Sequence, residues 1–370
     1  MLADEGNVKY FILAPIFFFE AILIIWIIKT VYEKPIIELE YTIKRFILWQ
    51  LKNQKIDIES STNPHLDYVI KFFSKTLNTL KNIKDEFVHG KEIKSEVTLA
   101  REIQDKLLAK TLLSIPSLNI IAKSKPAGEI GGDSYDVIQE WDNYYMYVGD
   151  ATGHGVWAGF IMMMVNALIS GFAKLTTSGA GILSLTNQIL KPRVKANLLM
   201  TLLLIRWNEK EKRLFMTGAG HENLLIYKHE KQKCFKIKSG WVALGMIKDI
   251  NKLLKEQEVK FEKNDIIVLY SDGITECINQ PTKTGSEQMF GEERLITAIE
   301  SAPKVLGKAY KNASNVFNNI TIEVSRFMGY KHTQLDDVTL VVIHYRGDDY
   351  DIKDDANQTV THDLLTEWHW

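Results

Sequence analysis

The chain has 370 residues, 46% hydrophobic and 10% aromatic, with 45 Lys+Arg against 46 Asp+Glu and a net charge of −1. That composition supports at least one large core and two or three domains, and its charge balance excludes a nucleic-acid protein that relies on a strong positive field. Two cysteines, Cys234 and Cys277, exclude a disulfide framework or a multi-cysteine zinc site and suit a reducing compartment.

From Phe11 to Ile28 every residue is apolar except Glu20, with Pro15 the only helix breaker. A run of this length predicts a membrane-crossing helix over residues 11–32, after a short external tail of residues 1–10. Asp4 and Glu5 stand where a signal peptide would be basic, so the anchor is expected to stay uncleaved. Lys29, Lys34, Lys44 and Arg45 follow the run, which places the remainder on the cytoplasmic side of a single-pass cell-membrane protein. Glu20 has two readings: a contact for a membrane sensor partner or dimer-mate helix, or a protonated side chain tolerated in a very apolar helix.

Pro35 is suited to opening a helix, and Ile36, Leu39, Ile43 and Phe46 then recur at coiled-coil spacing. A polar connector runs to Asn63-Pro64, and a second stripe follows with Phe73, Leu77, Leu80 and Phe87, Lys84 standing between the last two. This order of elements resembles a HAMP signal-relay domain over residues 33–86. A helical linker is expected over 87–112. Its seam, Ile93, Val97, Ala100, Gln104 and Leu107, is out of phase with the preceding stripe, which suits a junction with two alternative packings. Narrow seams of this kind predict a parallel homodimer.

Four acidic motifs punctuate residues 113–346. Gly131-Gly132-Asp133-Ser134-Tyr135-Asp136 comes first. The apolar run Tyr145–Val148 then leads into Gly149-Asp150-Ala151-Thr152-Gly153-His154-Gly155, and Ile266–Tyr270 leads into Ser271-Asp272-Gly273. Last, Asp336-Asp337 precedes the run Val338–Ile343. Strand ends are rigid, so carboxylates placed there can converge although distant in sequence. Several carboxylates without a paired His or Cys point to Mg2+ or Mn2+ rather than zinc.

These motifs, in this order, resemble the metal-dependent PPM (protein phosphatase 2C) superfamily, and more narrowly its bacterial SpoIIE-like branch. The likeness extends from about Glu92 to Tyr345. It includes Leu99–Leu108, Thr217-Gly218-Ala219-Gly220-His221 and Ala243-Leu244-Gly245-Met246. It implies an α+β fold, an α/β/β/α sandwich, here preceded by the membrane helix and HAMP-like stalk. Strands are expected at 144–149, 200–207, 213–217, 223–228, 265–270 and 338–344, and helices at 156–173 and 305–328. It also implies two divalent cations, Mn2+ or Mg2+, that activate a water to hydrolyse phosphoserine or phosphothreonine on a protein. Asp150 resembles the acid bridging both ions, with the Ala151 carbonyl as a further ligand and Asp133, Asp272 and Asp336 as the remaining acids.

Asp337, Asp136, His154 and Gly132 are secondary candidates. His154 lies four residues past Asp150, not at the two-residue offset of the eukaryotic general acid, and reads as part of the Gly-His-Gly turn. His221 likewise reads as structural. The branch's substrates are commonly phosphorylated anti-sigma-factor antagonists, and the Ile93–Leu108 segment is expected to relay the stalk's state to the acid-bearing loops. Residues 347–370, rich in Asp, read as a flexible acidic tail. The rivals are a catalytically silent receptor and a HAMP-linked nucleotide cyclase; the second accounts for neither the Gly-His-Gly motif nor the order of the acids.

Overall fold

A computed structural model of the chain describes residues 18–37, 41, 63–64, 67–76, 101, 104, 115–153, 155–195, 198–279, 288–329 and 334–347. Contacts divide it into two compact units, Met1–Lys91 and Glu92–Trp370.

In the first unit a helix occupies residues 18–37, with a π-helical turn at Ile28–Glu33. Pro35 does not open a new helix; it lies within this one. Proline cannot donate to the turn before it, and the Lys34 N–H reaches back to Lys29 O in the wider spacing of the preceding π turn. A second helical stretch over 67–76 buries Ile70 and Phe73, with a Lys71–Asp67 ion pair at 2.6 Å on its surface. Leu39, Ile43, Phe46, Leu77, Leu80 and Phe87 lie outside the described residues.

The membrane anchor is corrected. Among the described residues no helix is long and apolar enough to cross a membrane. The apolar stretch of the described helix runs from Phe18 to Ile28, where Lys29, Glu33 and Lys34 follow. At 1.5 Å per residue it spans roughly 16 Å, about half of a ~30 Å hydrocarbon core. Residues 11–17 lie outside the described residues. Single-pass membrane localisation is therefore not supported, and Glu20, an exposed residue of this helix, loses its assignment as a membrane contact.

The second unit holds two five-stranded sheets in which every named strand pair is antiparallel. One sheet has the order β1 (Leu118–Lys125), β10 (Val338–Tyr345), β9 (Ile266–Tyr270), β6 (Leu224–Lys228), β7 (Lys233–Ile237). The other runs β2 (Asp133–Glu140), β3 (Asn143–Ala151), β4 (Met200–Asn208), β5 (Arg213–Ala219), β8 (Gln257–Val259). Val148, Leu203, Ile205, Trp207, Leu269, Val341 and Ile343 fill the layer between the sheets. Helices α1 (Val156–Phe172) and α2 (Gly179–Leu190) cover the outer face of the β3–β4 sheet; α3 (Asp272–Thr275) follows β9; α4 (Gly291–Ser301) and α5 (Ala313–Met328) cover the other sheet. The result is the expected α/β/β/α sandwich.

Central strands are apolar on both faces because both are covered: Asn143–Gly149 of β3 is buried throughout. The last helix begins at Ala313 rather than near 305. Asn312 has an extended backbone and its side chain accepts the Asn315 N–H at 2.8 Å, the geometry of an N-cap.

Candidate active site

The β2–β3 ladder sets Asp133 directly opposite Asp150. Like charges across a ladder repel, so this pairing runs against sheet stability and calls for a compensating positive charge. Both residues belong to one sheet. Asp272 begins α3 just past β9, and Asp336 and Asp337 stand just before β10, which pairs with β9 in the other sheet. The acids thus come from both sides of the sandwich at one end of it.

Asp133 is tied across the gap between the sheets. The Thr339 hydroxyl donates to its Oδ2 at 2.6 Å, and the Ser271 hydroxyl also hydrogen-bonds to it. Ser271 and Thr339 are in turn locked together: Ser271 N–H donates to Thr339 O at 3.0 Å, and Thr339 N–H to Ser271 Oγ at 2.9 Å. Neither hydroxyl was singled out from the sequence. The signal was present in the Ser-Asp-Gly and Asp-Asp-Val-Thr strings, where a hydroxyl residue flanks each acid.

Burial and mutual repulsion govern the charges. The Asp150 carboxyl is pushed up to about 9, first by burial and then by Asp133, Asp272, Asp336 and Asp337. Asp133 rises to about 7 by burial, against the hydroxyl bonds of Ser271 and Thr339, with Asp337 and Asp272 adding to the rise. Asp272 rises to about 6 through burial, then Asp336, Glu276 and Glu222. Among the described residues no three His, Cys, Asp or Glu side chains meet closely enough to enclose one ion. The chemistry of the donor set, rather than a preformed shell, is what fits hard divalent cations: all-oxygen, partly buried, and destabilised by its own charge.

Asp337 has a different task from its neighbour. It is buried, and its carboxylate accepts backbone N–H groups from Ala127 at 2.7 Å, Gly132 at 2.5 Å and Asp133 at 3.3 Å. Asp336 is exposed and accepts the Asp337 N–H at 2.8 Å. Gly132 is needed for close approach: a Cβ there would sit 2.7 Å from the Ala151 carbonyl oxygen and 3.2 Å from Ala158 Cβ. Asp136, three residues along β2 from Asp133, points to the opposite face. It accepts from Asn166 of α1 at 2.9 Å and from the Val137 N–H at 2.8 Å, away from the acid cluster.

His154 lies outside the described residues, but the glycines around it have φ of +87° at Gly153 and +81° at Gly155, a turn that favours glycine at both places. His221 is buried, and burial pushes its imidazole down to about 4, so it is neutral near pH 7. Its Nε2 lies 3.1 Å from the Tyr270 carbonyl oxygen, which assigns the proton to Nε2; Nδ1 accepts from the Thr201 hydroxyl at 2.8 Å. One neutral ring thus pins β4 of one sheet to β9 of the other.

Of the linker residues, Ile93, Val97, Ala100 and Leu107 lie outside the described residues. Gln104 is described, and its amide turns inward: Nε2 donates to Gly131 O at 2.7 Å.

A family model, Stage II sporulation protein E (SpoIIE), matches residues 141–346, which include Asp150, Asp272, Asp336 and Asp337 but begin after Asp133. The phosphoserine phosphatase RsbU of Bacillus subtilis (strain 168) is 25% identical over 252 residues, 68% of this chain and 70% of that protein. Among solved structures, the SiaA-PP2C domain of Pseudomonas aeruginosa is similar with a TM-score of 0.55 and 21% identity, over 68% of this chain and 96% of that one. The RsbU and RsbW domains of a Mycobacterium tuberculosis protein give a TM-score of 0.53 at 19% identity, over 71% of each chain. Both structures share the fold described above.

Proposed function

The chain belongs to the Stage II sporulation protein E (SpoIIE) family, and from that membership we propose that its acid cluster hydrolyses a phosphate ester on the serine or threonine of a partner protein. At the coarser level the activity is that of a protein serine/threonine phosphatase. The observation that carries the assignment to this site is electrostatic. Asp133, Asp150 and Asp272, drawn from both sheets, have their proton affinity raised in one partly buried place, first by burial and then by one another and by the charges of Asp336 and Asp337. A structural role leaves that cost without compensation, whereas divalent ions would offset it.

Asp133, Asp150, Asp272, Asp336 and the Ala151 carbonyl are the groups that would hold two divalent cations, Mn2+ or Mg2+. Such ions supply a water of lowered pKa and neutralise phosphoryl charge. The chain's own part is positional. Thr339 and Ser271 orient the Asp133 carboxylate, Asp337 fixes the turn that carries Asp133, and neutral His221 holds the sheets in register at this end. His221 is engaged by its two partners, so this ring is not the proton donor to the leaving serine or threonine oxygen.

A small phosphorylated anti-sigma-factor antagonist is the proposed substrate class. Residues 33–86 and 87–112 are proposed as a HAMP-like relay and a helical linker of a parallel homodimer that regulates residues 113–346. The test is Mn2+-dependent release of phosphate from a phosphoserine protein by wild type and Asp150→Asn, with nucleoside triphosphates as the alternative substrate. The variant is expected to lose at least about 10²–10³-fold in turnover. Undiminished turnover in the variant, or pyrophosphate release from a nucleotide, would refute the assignment.

A further inference from the structure

Gln104 is 5% exposed and makes a two-point contact. Its Nε2 donates to Gly131 O at 2.7 Å, and Gly131 N–H donates to its Oε1 at 3.2 Å. A primary amide thereby pairs with both polar groups of one glycine, much as a neighbouring strand would. Glycine suits the position, since a Cβ at Gly131 would lie 2.8 Å from Asp337 Oδ2 and 3.0 Å from Pro126 Cβ.

Gly131 opens the turn that ends in Asp133, and that turn is held from three sides. Asp337 takes its Gly132 and Asp133 N–H groups. Helix α1 packs on it through Gly159, where a Cβ would come 2.7 Å from Ile130 Cγ2. The third hold is Gln104, a residue of helical backbone upstream of β1.

We propose that Gln104 is a positioning residue: its amide holds the Gly131–Asp133 turn so that Asp133 faces the other acids, and divalent-ion affinity thereby depends on this side chain. The proposal rests on the phosphatase reading for its consequence, though not for its mechanics. It requires an acceptor and a donor on one side chain. Leucine supplies neither; glutamate supplies the acceptor and adds a negative charge beside the acids.

The test uses the full chain as wild type, Gln104→Leu and Gln104→Glu. Hydrogen exchange is followed without added metal over residues 127–136 and, as a control, over 200–219 of β4 and β5. Calorimetric titration with Mn2+ alone and the Mn2+ dependence of phosphoserine-protein turnover complete it. In Gln104→Leu, exchange at Gly131–Asp133 should rise at least tenfold with the control unchanged. Mn2+ affinity should fall about 10–100-fold, the usual effect of losing a group that orients a ligand, and turnover should recover at saturating Mn2+. Unchanged exchange and unchanged Mn2+ affinity would overturn the proposal, and so would equal loss of protection in β4 and β5, which marks general destabilisation. If exchange and Mn2+ affinity change as expected while even wild type releases no phosphate, the positioning role stands and the phosphatase reading fails.

Discussion

Replacing Asp337 by alanine removes the acceptor for two short backbone hydrogen bonds, from Ala127 at 2.7 Å and Gly132 at 2.5 Å, and a longer one from Asp133 at 3.3 Å. The residue is 6% exposed, so water does not freely take its place. A hydrogen bond to a charged group contributes about 1.5–3 kcal/mol, which puts the two short bonds at about 3–6 kcal/mol. Repulsion works the other way, because the Asp337 charge disfavours ionised Asp150 and Asp133. Relief of that repulsion returns about 1–2 kcal/mol at an effective dielectric near 20. The net expectation for Asp337→Ala is a loss of about 1–5 kcal/mol, read from urea unfolding midpoints at a common slope without added metal. Asp337→Asn retains one acceptor oxygen and should fall between the two. A loss below about 0.5 kcal/mol in Asp337→Ala would refute the argument that this carboxylate, rather than the packing of α1, holds the turn.

Asp150→Asn should make the metal-free protein more stable by at least about 1 kcal/mol at pH 8, because the folded state must hold on Asp150 a proton that the unfolded chain releases near pH 4, a cost that asparagine lacks; calorimetric melting in a chelator would show it, and destabilisation would count against the repulsive cluster. Gly273→Ala places a Cβ 2.0 Å from the Asp337 backbone oxygen, so it should cost about 1–3 kcal/mol in urea unfolding; a neutral result would refute the close approach. Burial pushes the His344 imidazole down to about 3, with Arg346 and His229 adding to the effect, and neither ring nitrogen has a hydrogen-bond partner among the described residues. The unfolded chain therefore takes up this proton first, near pH 6.5. Its stabilising contribution is complete above that pH and is lost as pH falls toward 3, at up to about 1.4 kcal/mol per pH unit. His344→Leu should flatten the decline in unfolding midpoint between pH 6.5 and 5, leaving the parallel contribution of His221; an unaltered slope would refute the assignment. Lys311, 3% exposed, donates Nζ to the Ile299 and Glu300 carbonyls at the end of α4 and lies 4.5 Å from the Tyr227 ring centroid. Lys311→Met should lower stability by about 1–3 kcal/mol in the same assay, since it leaves those carbonyls without this donor.

The sandwich was legible because its central strands are covered on both faces and so read as unbroken apolar runs, Tyr144–Val148 and Ile266–Tyr270 among them. The grouping of the acids was legible because acids at the ends of such runs share one end of the fold. What escaped was orientation. Asp336 and Asp337 are adjacent and alike in composition, yet one is exposed and the other is wrapped by three amides; only the path of residues 126–133, remote in sequence, decides between them. Gln104 fell at a seam position by spacing, but a glutamine that pairs with a glycine peptide carries no periodic signature. The membrane reading counted apolar residues from Phe11 to Ile28; among the described residues the apolar part of the helix covers only Phe18–Ile28, and it runs into a π turn at Ile28–Glu33 that hydropathy does not register.

Because the two halves of the acid cluster are mounted on different sheets, the separation between them is set by the thickness of the layer that Val148, Leu203, Leu269 and Val341 fill. Those side chains act as a spacer for the pocket. A methylene added or deleted there, well away from any carboxylate, would change the gap across which the two halves of the cluster face each other, so the spacing of these acids is in part a property of the protein's oil.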